Sequence, residues 1–218
     1  NTNLGVPDKL VDRFIEKVQK ICEEDRVKEF VIFTSVDSWG AQAEYIRNGL
    51  EFNRFWDNCH KVLEKCPKVI LTYMVTYNAL SVPNYDKLIR GVYDLKTQYG
   101  SDDRYWNSAT FLDTSYLRHP KHQTVQVLEP HWADKIYADA QLVDFLGVPL
   151  FEKEYIGYSD VEIQKLKRTF DWMKSPISQA PLKFRCLNLR RQMLSSMTMC
   201  FLFPTILWPI IFGFRMGL

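Results

Sequence analysis

Three short apolar runs recur about 40 residues apart, and a helical pattern separates each run from the next. The runs lie at 30–33, 69–75 and 108–113, and the first two are rich in β-branched and aromatic residues. They are largely apolar throughout rather than alternating, which is typical of strands in a sheet that helices cover. Strands and helices that alternate at this spacing indicate right-handed βαβ units. The sequence therefore predicts an α/β fold with a parallel sheet.

The helices and one further strand are predicted from the same kind of pattern. Apolar residues at helical spacing predict helices at 7–24 and 41–48, from Asn53, from Pro83 to Gly100, near 131–146 and near 160–173. The last of these helices opens with Ser159 and Glu162, which have the spacing of a capping box. The run 124–128, which contains two valines and a threonine, is predicted as an additional strand.

The composition excludes several classes of protein. The 218 residues include 28 basic and 26 acidic side chains, and a net charge of +2 gives no sign of a nucleic-acid partner. The 14% aromatic content excludes a disordered chain. The five cysteines show no C-x2-C spacing and no secretory signal precedes them, which favours a reducing, cytoplasmic setting. His119 and His122 flank Pro120 outside any helical pattern, which favours loop histidines over a metal site.

Polar side chains follow each predicted strand. The carboxyl ends of parallel strands meet at one edge of a sheet, where ligands bind in folds of this class. We expect Asn3 to end a strand that begins before residue 1. The polar residues at the other strand ends are Ser35, Asp37, Thr76, Asn78, Asp113, Thr114 and Ser115. Each of them alone is explained by a turn or a helix cap, but together they indicate a ligand site.

The most informative pair in this set is Ser35 and Arg47. The serine closes the first predicted strand, and the arginine follows on the short helix that we expect to fold back over the strand ends. A hydroxyl and a planar guanidinium together are suited to binding a carboxylate through hydrogen bonds. The alternative is that Arg47 forms an ordinary salt bridge with nearby Glu44 or Glu51.

The segment 35–55 also resembles a known family. Ser35-Val36-Asp37-Ser38, then Glu44-Tyr45-Ile46-Arg47-Asn48-Gly49-Leu50 and Phe55, closely resemble the segment after the fourth barrel strand of radical SAM enzymes. The most similar branch is the one with SPASM or twitch-type extensions. The resemblance implies a partial TIM-like (β/α)6 barrel, of which this chain holds the later strands and helices. Residues 72–81 resemble the fifth strand, residues 113–120 the sixth, and Thr2-Asn3 the end of the third.

The resemblance also implies a site and a chemistry. It assigns Ser35 and Arg47 to the carboxylate of S-adenosylmethionine (SAM) and places Leu117 near the adenine. The implied SAM-binding residues are Ser35, Arg47, Asp37, Asn3, Asn78 and Leu117. Enzymes of this family use a [4Fe–4S] cluster to cleave SAM to a 5′-deoxyadenosyl radical, which abstracts hydrogen from a substrate. The implied partners are a small-molecule or peptide substrate and an electron donor such as a flavodoxin or ferredoxin.

One departure from the family concerns the cluster. Its three cysteine ligands are spaced C-x3-C-x2-C, and no cysteines in this sequence have that spacing. In the family that loop follows the first strand, and a barrel unit takes roughly 30 residues, so we expect the cluster ligands upstream of residue 1. We therefore predict that this chain alone is catalytically inactive. The competing hypothesis is a non-enzymatic α/β module that holds a small carboxylate or nucleotide.

The chain divides into three predicted parts: residues 1–128 as barrel, 129–185 as a helical twitch-like extension and 186–218 as an apolar tail. Within the tail, residues 192–214 carry no charge, which permits a membrane anchor flanked by basic residues. Pro204 and Pro209 argue against a spanning helix. A reading-frame slip or a buried apolar helix would also account for the composition of the tail.

Overall fold

The computed structural model describes residue 2 and residues 4–100, 108–147 and 157–175. The chain divides into two units, Asn1–Pro176 and Ile177–Leu218, and the second unit lies outside the described residues. The predictions for the apolar tail therefore fall outside them too. Within the described part of the chain, no helix is both long and apolar enough to cross a membrane.

The described residues form an alternating series of strands and helices, as predicted. Short 3-10 turns lie at Val82–Asn84, Lys121–Gln123 and Val125–Val127. The elements in chain order are α1 (Asp8–Glu23), β1 (Phe30–Ser35), α2 (Ala41–Ile46), α3 (Phe52–Lys65), β2 (Val69–Tyr77), α4 (Tyr85–Tyr99), β3 (Thr110–Tyr116), α5 (Trp132–Phe145) and α6 (Asp160–Lys174). The capping box is confirmed, because Ser159 and Glu162 cap each other's backbone at the start of α6.

The three strands form one parallel sheet in the order β1-β2-β3, which confirms the predicted α/β class. Phe30 pairs with Val69 at the start of β1, and Leu71 pairs with Thr110 at the start of β3. On the outer edge of β1, the Thr2 N–H donates to the Phe33 carbonyl at 2.9 Å. Thr2 therefore forms an isolated parallel bridge with β1, opposite Thr34, on the side away from β2.

The prediction of a strand at 124–128 is wrong. These residues form the 3-10 turn Val125–Val127 and its flanks. The edge of β3 that another strand would need is already used by α6, because the Glu162 carboxylate accepts the Leu112 N–H at 2.7 Å. Val125 is buried and Gln126 donates to the Trp172 carbonyl, so the segment packs against α6 instead of pairing with β3.

The two faces of the sheet differ. On one face the strand side chains are buried with those of the surrounding helices in a single core; they include Ile32, Leu71, Tyr73, Val75, Tyr77 and Leu112. On the other face Phe33 and Met74 are 38% and 41% exposed. Thr76 and Ser115 are exposed on that face as well. Among the described residues, the helices therefore bury one face of the sheet and leave part of the other open.

A buried ion pair fixes α4 and α6 to β3. Lys96 is 2% exposed, and its Nζ lies 3.1 Å from Glu162 Oε1 and 2.7 Å from the Thr110 carbonyl oxygen. Burial lowers the pKa of Lys96, and the charge of Glu162 opposes that shift. The same carboxylate accepts the Leu112 N–H and the Ser159 N–H. One glutamate thus joins a strand edge, a helix start and a lysine from another helix.

We predict that Lys96→Met destabilises the protein strongly. The substitution leaves the Glu162 carboxylate buried without its cation, which costs about 3–5 kcal/mol in the free energy of unfolding. The matched control is Lys87→Met, an exposed lysine of the same helix, which should change that free energy by less than about 0.5 kcal/mol. Urea unfolding of both variants measures the difference. Equal unfolding midpoints for the two variants would show that the buried pair contributes little.

Candidate functional site

The candidate site lies at the carboxyl ends of the strands. The parallel register pairs Ser35 with Met74 at the end of β1, and Tyr77 with Tyr116 at the end of β3. Residues that follow these positions therefore emerge at the same rim of the sheet. They are Asp37 after β1, Asn78 after β2 and Leu117 after β3.

Asp37 is the best-connected side chain at this rim. It is only 4% exposed, and its Oδ1 accepts the Thr76 N–H of β2 at 2.7 Å. Arg47 Nη2 donates to the same oxygen at 3.1 Å, and Arg47 Nε lies 2.8 Å from Oδ2. The carboxylate therefore ties the end of β1 to β2 and to the residue after α2.

The structure corrects the alternative interpretation of Arg47 as a partner of Glu44 or Glu51. Glu44 accepts the Phe52 N–H at 2.7 Å at the start of α3, and Glu51 pairs with Arg54 at 2.8 Å. Both glutamates form their contacts at the start of α3, and the carboxylate that pairs with Arg47 is that of Asp37.

Two glycines shape the chain between Asp37 and α3. Gly40 has a φ of +57°, and Gly49 has a φ of +85°, a region that favours glycine. The turn at Gly40 allows α2 to begin at the next residue, and α2 ends after six residues. Arg47 then adopts an extended conformation, with a φ of −115°, and its side chain meets Asp37. The short helix is what brings two residues ten positions apart into contact.

Asn78 is held within its own loop. Its Nδ2 donates to the Thr76 carbonyl at 2.9 Å, and its Oδ1 accepts the Leu80 N–H at 2.9 Å. Ser81 Oγ accepts the Asn78 N–H, and Ser38 Oγ donates to the Ser81 carbonyl. These hydrogen bonds are those of a turn between β2 and α4, and they brace the loop that follows β1.

The remaining predicted site residues are less tightly bound. Ser35 is half-buried at the end of β1. The Leu117 N–H donates to the Tyr77 carbonyl at 2.9 Å, which extends the pairing of β3 with β2 by one residue. Asn3 lies outside the described residues. The structure thus brings Asp37, Arg47 and the Asn78 loop into one hydrogen-bonded set, with Ser35 and Leu117 at its strand ends.

The sequence did not predict the partner of Asp113. Lys165 of α6 lies 2.6 Å from the Asp113 carboxylate and over the Phe111 ring, so α6 reaches across the edge of β3. The two residues are 52 positions apart, and neither has a local pattern that indicates the other. Asp37 and Asp113 therefore each pair with a cation of their own, Arg47 and Lys165.

The described cysteines do not form a metal site. Cys22, Cys59 and Cys66 are buried thiols that form no disulfide with one another. Burial raises the pKa of Cys59 to about 12, which keeps the thiol protonated, whereas a cluster ligand must be a thiolate. In the described part of the chain, no three His, Cys, Asp or Glu side chains are grouped as a metal site. These residues do not fit a [4Fe–4S] cluster.

A second groove lies away from the strand ends. It has a volume of about 440 Å³ between α4 and α5, and its lining includes Asp86, Arg90, Lys135, Asp139 and Phe145. Burial raises the pKa of Asp139 to about 6. Lys135 bridges Asp86 and Asp139 across the floor of the groove. None of the residues that the sequence predicts for the candidate site lines this groove.

No family model, curated protein or solved structure that was compared with this chain matches it. The resemblance to radical SAM enzymes therefore depends on the sequence alone, in which residues 35–55 are the most specific segment, and the candidate site depends on the geometry around Asp37.

We predict that this 218-residue chain does not assemble a [4Fe–4S] cluster. The described thiols are buried in the core, and the sequence has no C-x3-C-x2-C spacing. Anaerobic incubation with iron and sulfide, followed by desalting, should leave much less than one cluster per chain by iron and sulfide analysis. Stoichiometric iron and sulfide, with the visible absorbance of a cluster, would contradict this prediction.

Proposed function

We propose that this chain is the carboxyl-terminal part of a radical SAM partial barrel, and that its strand-end rim binds the carboxylate of SAM. The observation that carries the proposal is the Asp37–Arg47 pair. The arginine that the resemblance assigns to the carboxylate is anchored at the end of β1, beside the end of β2.

The sheet is compatible with a segment of a barrel. In such a barrel the strands are parallel, helices cover the outer face, and the site lies at the carboxyl ends of the strands. Here the helices bury one face of the sheet, while Phe33 and Met74 are partly exposed on the other. Glu162 covers the outer edge of β3, whereas Thr2 pairs along the outer edge of β1. Earlier strands would therefore add beside β1, and β3 would be the last strand.

The residues at the rim fit a carboxylate ligand. A guanidinium has five N–H donors, and Asp37 engages only one side of Arg47. The arginine side chain is 33% exposed, so part of it is accessible to a ligand. Asp37 would hold the guanidinium in place, Arg47 would bind the ligand carboxylate and the Ser35 hydroxyl would add a further hydrogen bond. In the family, an electron from the cluster cleaves bound SAM, and the resulting radical abstracts a hydrogen atom from the substrate.

The second candidate function is a non-enzymatic module that binds a small carboxylate or nucleotide. The observation that favours it is that Asp37 and Arg47 are already in contact within this chain, so the same rim could bind such a ligand with no cluster chemistry. Both candidates need the Asp37–Arg47 pair for binding. They differ in whether a polypeptide that supplies C-x3-C-x2-C cysteines joins the outer edge of β1.

We predict that Arg47→Gln reduces the preference of this chain for SAM over 5′-methylthioadenosine, which lacks the whole amino-acid group, the carboxylate included. Charge-assisted hydrogen bonds contribute roughly 1.5–3 kcal/mol, so SAM affinity should fall by about tenfold or more, while 5′-methylthioadenosine affinity stays the same. Isothermal titration calorimetry with both ligands measures this. The matched control is Arg26→Gln, an exposed arginine that pairs with Glu24 away from the rim.

Two results would contradict the proposed site. One is a wild-type chain that binds 5′-methylthioadenosine as tightly as SAM, because the carboxylate would then contribute nothing. The other is an equal loss of SAM affinity in Arg26→Gln and Arg47→Gln, because the effect would then be one of net charge.

A further inference from the structure

The loop after β3 is the most basic surface segment near the rim. We call residues 117–123 the basic rim loop; it contains Arg118, His119, Lys121 and His122. No Asp or Glu occurs between Asp113 and Glu129. The net charge of the whole chain, +2, conceals this local excess because carboxylates elsewhere offset it.

Hydrogen bonds hold both ends of the basic rim loop. At its start the Leu117 N–H donates to the Tyr77 carbonyl at 2.9 Å, and at its end the Gln123 carbonyl accepts the Ala79 N–H at 2.8 Å. Thr124 Oγ1 donates to the Lys121 carbonyl at 3.0 Å. The loop is therefore fixed to the end of β2 and to the loop that carries Asn78, next to the candidate site.

Arg118 is oriented by aromatic side chains. Its guanidinium lies 5.3 Å from the centre of the Tyr116 ring, and Nη2 donates to the Tyr116 hydroxyl at 3.2 Å. Tyr116 in turn stacks on Trp172 of α6, with ring centres 4.9 Å apart and 20° between the planes. An arginine stacked in this way loses less conformational entropy when it binds an anion.

Arg118 differs from the other cations at this end of the sheet. Arg47 pairs with Asp37, and Lys165 pairs with Asp113. Arg118 is exposed and forms no ion pair with any residue that the structure describes. Its charge is therefore not neutralised within the described residues, whereas the candidate site next to it is internally neutral.

We propose that the basic rim loop is a docking surface for an acidic peptide segment, a carboxylate of which pairs with Arg118. Charge complementarity and the pre-oriented guanidinium carry the proposal. An acidic peptide is favoured over a nucleic acid because the basic surface is one short loop on a chain of net charge +2, whereas nucleic acids require a broad positive surface. The proposal goes beyond SAM binding and does not depend on it.

The test is fluorescence anisotropy of a fluorescein-labelled hexaglutamate peptide with the full chain, at an ionic strength of about 50 mM so that surface charges are screened less than at physiological salt. The wild-type chain should bind hexaglutamate and not hexaglutamine. Arg118→Gln should weaken binding roughly tenfold, and Arg118→Lys should weaken it less, because charge remains but the planar fork is lost. The control is Arg90→Gln, since Arg90 is also exposed and forms no ion pair with the described residues.

A charge-reversal variant distinguishes a loss of peptide binding at Arg118 from a loss caused by misfolding. Arg118→Glu should reject hexaglutamate and bind labelled hexalysine more tightly than the wild-type chain does, which a misfolded variant would not do. Equal binding of hexaglutamate and hexaglutamine, or an equal loss in Arg90→Gln and Arg118→Gln, would overturn the proposal. Tighter binding of a short single-stranded RNA, with the same dependence on Arg118, would overturn it too by assigning the loop to nucleic acid.

Discussion

The candidate site depends on the carboxylate of Asp37. Taking a carboxylate out of water is costly unless it is hydrogen-bonded and paired, and Asp37 is almost fully buried. The Thr76 N–H and the Arg47 guanidinium supply those partners, so three separate parts of the chain must meet where Asp37 lies. The turn at Gly40 and the brevity of α2 make that meeting possible. The position of Arg47, and with it the proposed carboxylate site, follows from this one buried charge.

The rim combines neutralised and free charges. Asp37 with Arg47, and Asp113 with Lys165, form internal pairs that fix elements to the ends of the strands. A ligand that binds there must use the donors that Asp37 leaves free on the guanidinium. Arg118 stands beside them with its charge unpaired among the described residues and its orientation set by aromatic rings. A small carboxylate at the site and an acidic segment on the adjoining loop would therefore bind through different cations.

The fold was largely predictable because its elements follow local patterns. Apolar runs and helical spacing predicted the parallel sheet and the helices, and the capping box at Ser159 marked the start of α6. The failures came from long-range contacts. Glu162 covers the edge of β3 that the predicted strand at 124–128 would have needed, and it is 50 positions from Leu112. Arg47 pairs with Asp37 rather than with closer glutamates because both of those glutamates serve α3.

In the proposed site Asp37 affects ligand binding by holding Arg47, without contacting the ligand itself. A double-mutant cycle on SAM affinity is the most direct test of this claim. The cycle compares the wild-type chain, Asp37→Ala, Arg47→Gln and the double variant, with circular dichroism to confirm that each one folds. Asp37→Ala should weaken SAM binding in the wild-type background, because the guanidinium loses its anchor. It should change nothing further in the Arg47→Gln background. An equal loss of SAM affinity in both backgrounds would contradict the proposed site, since Asp37 would then act independently of Arg47.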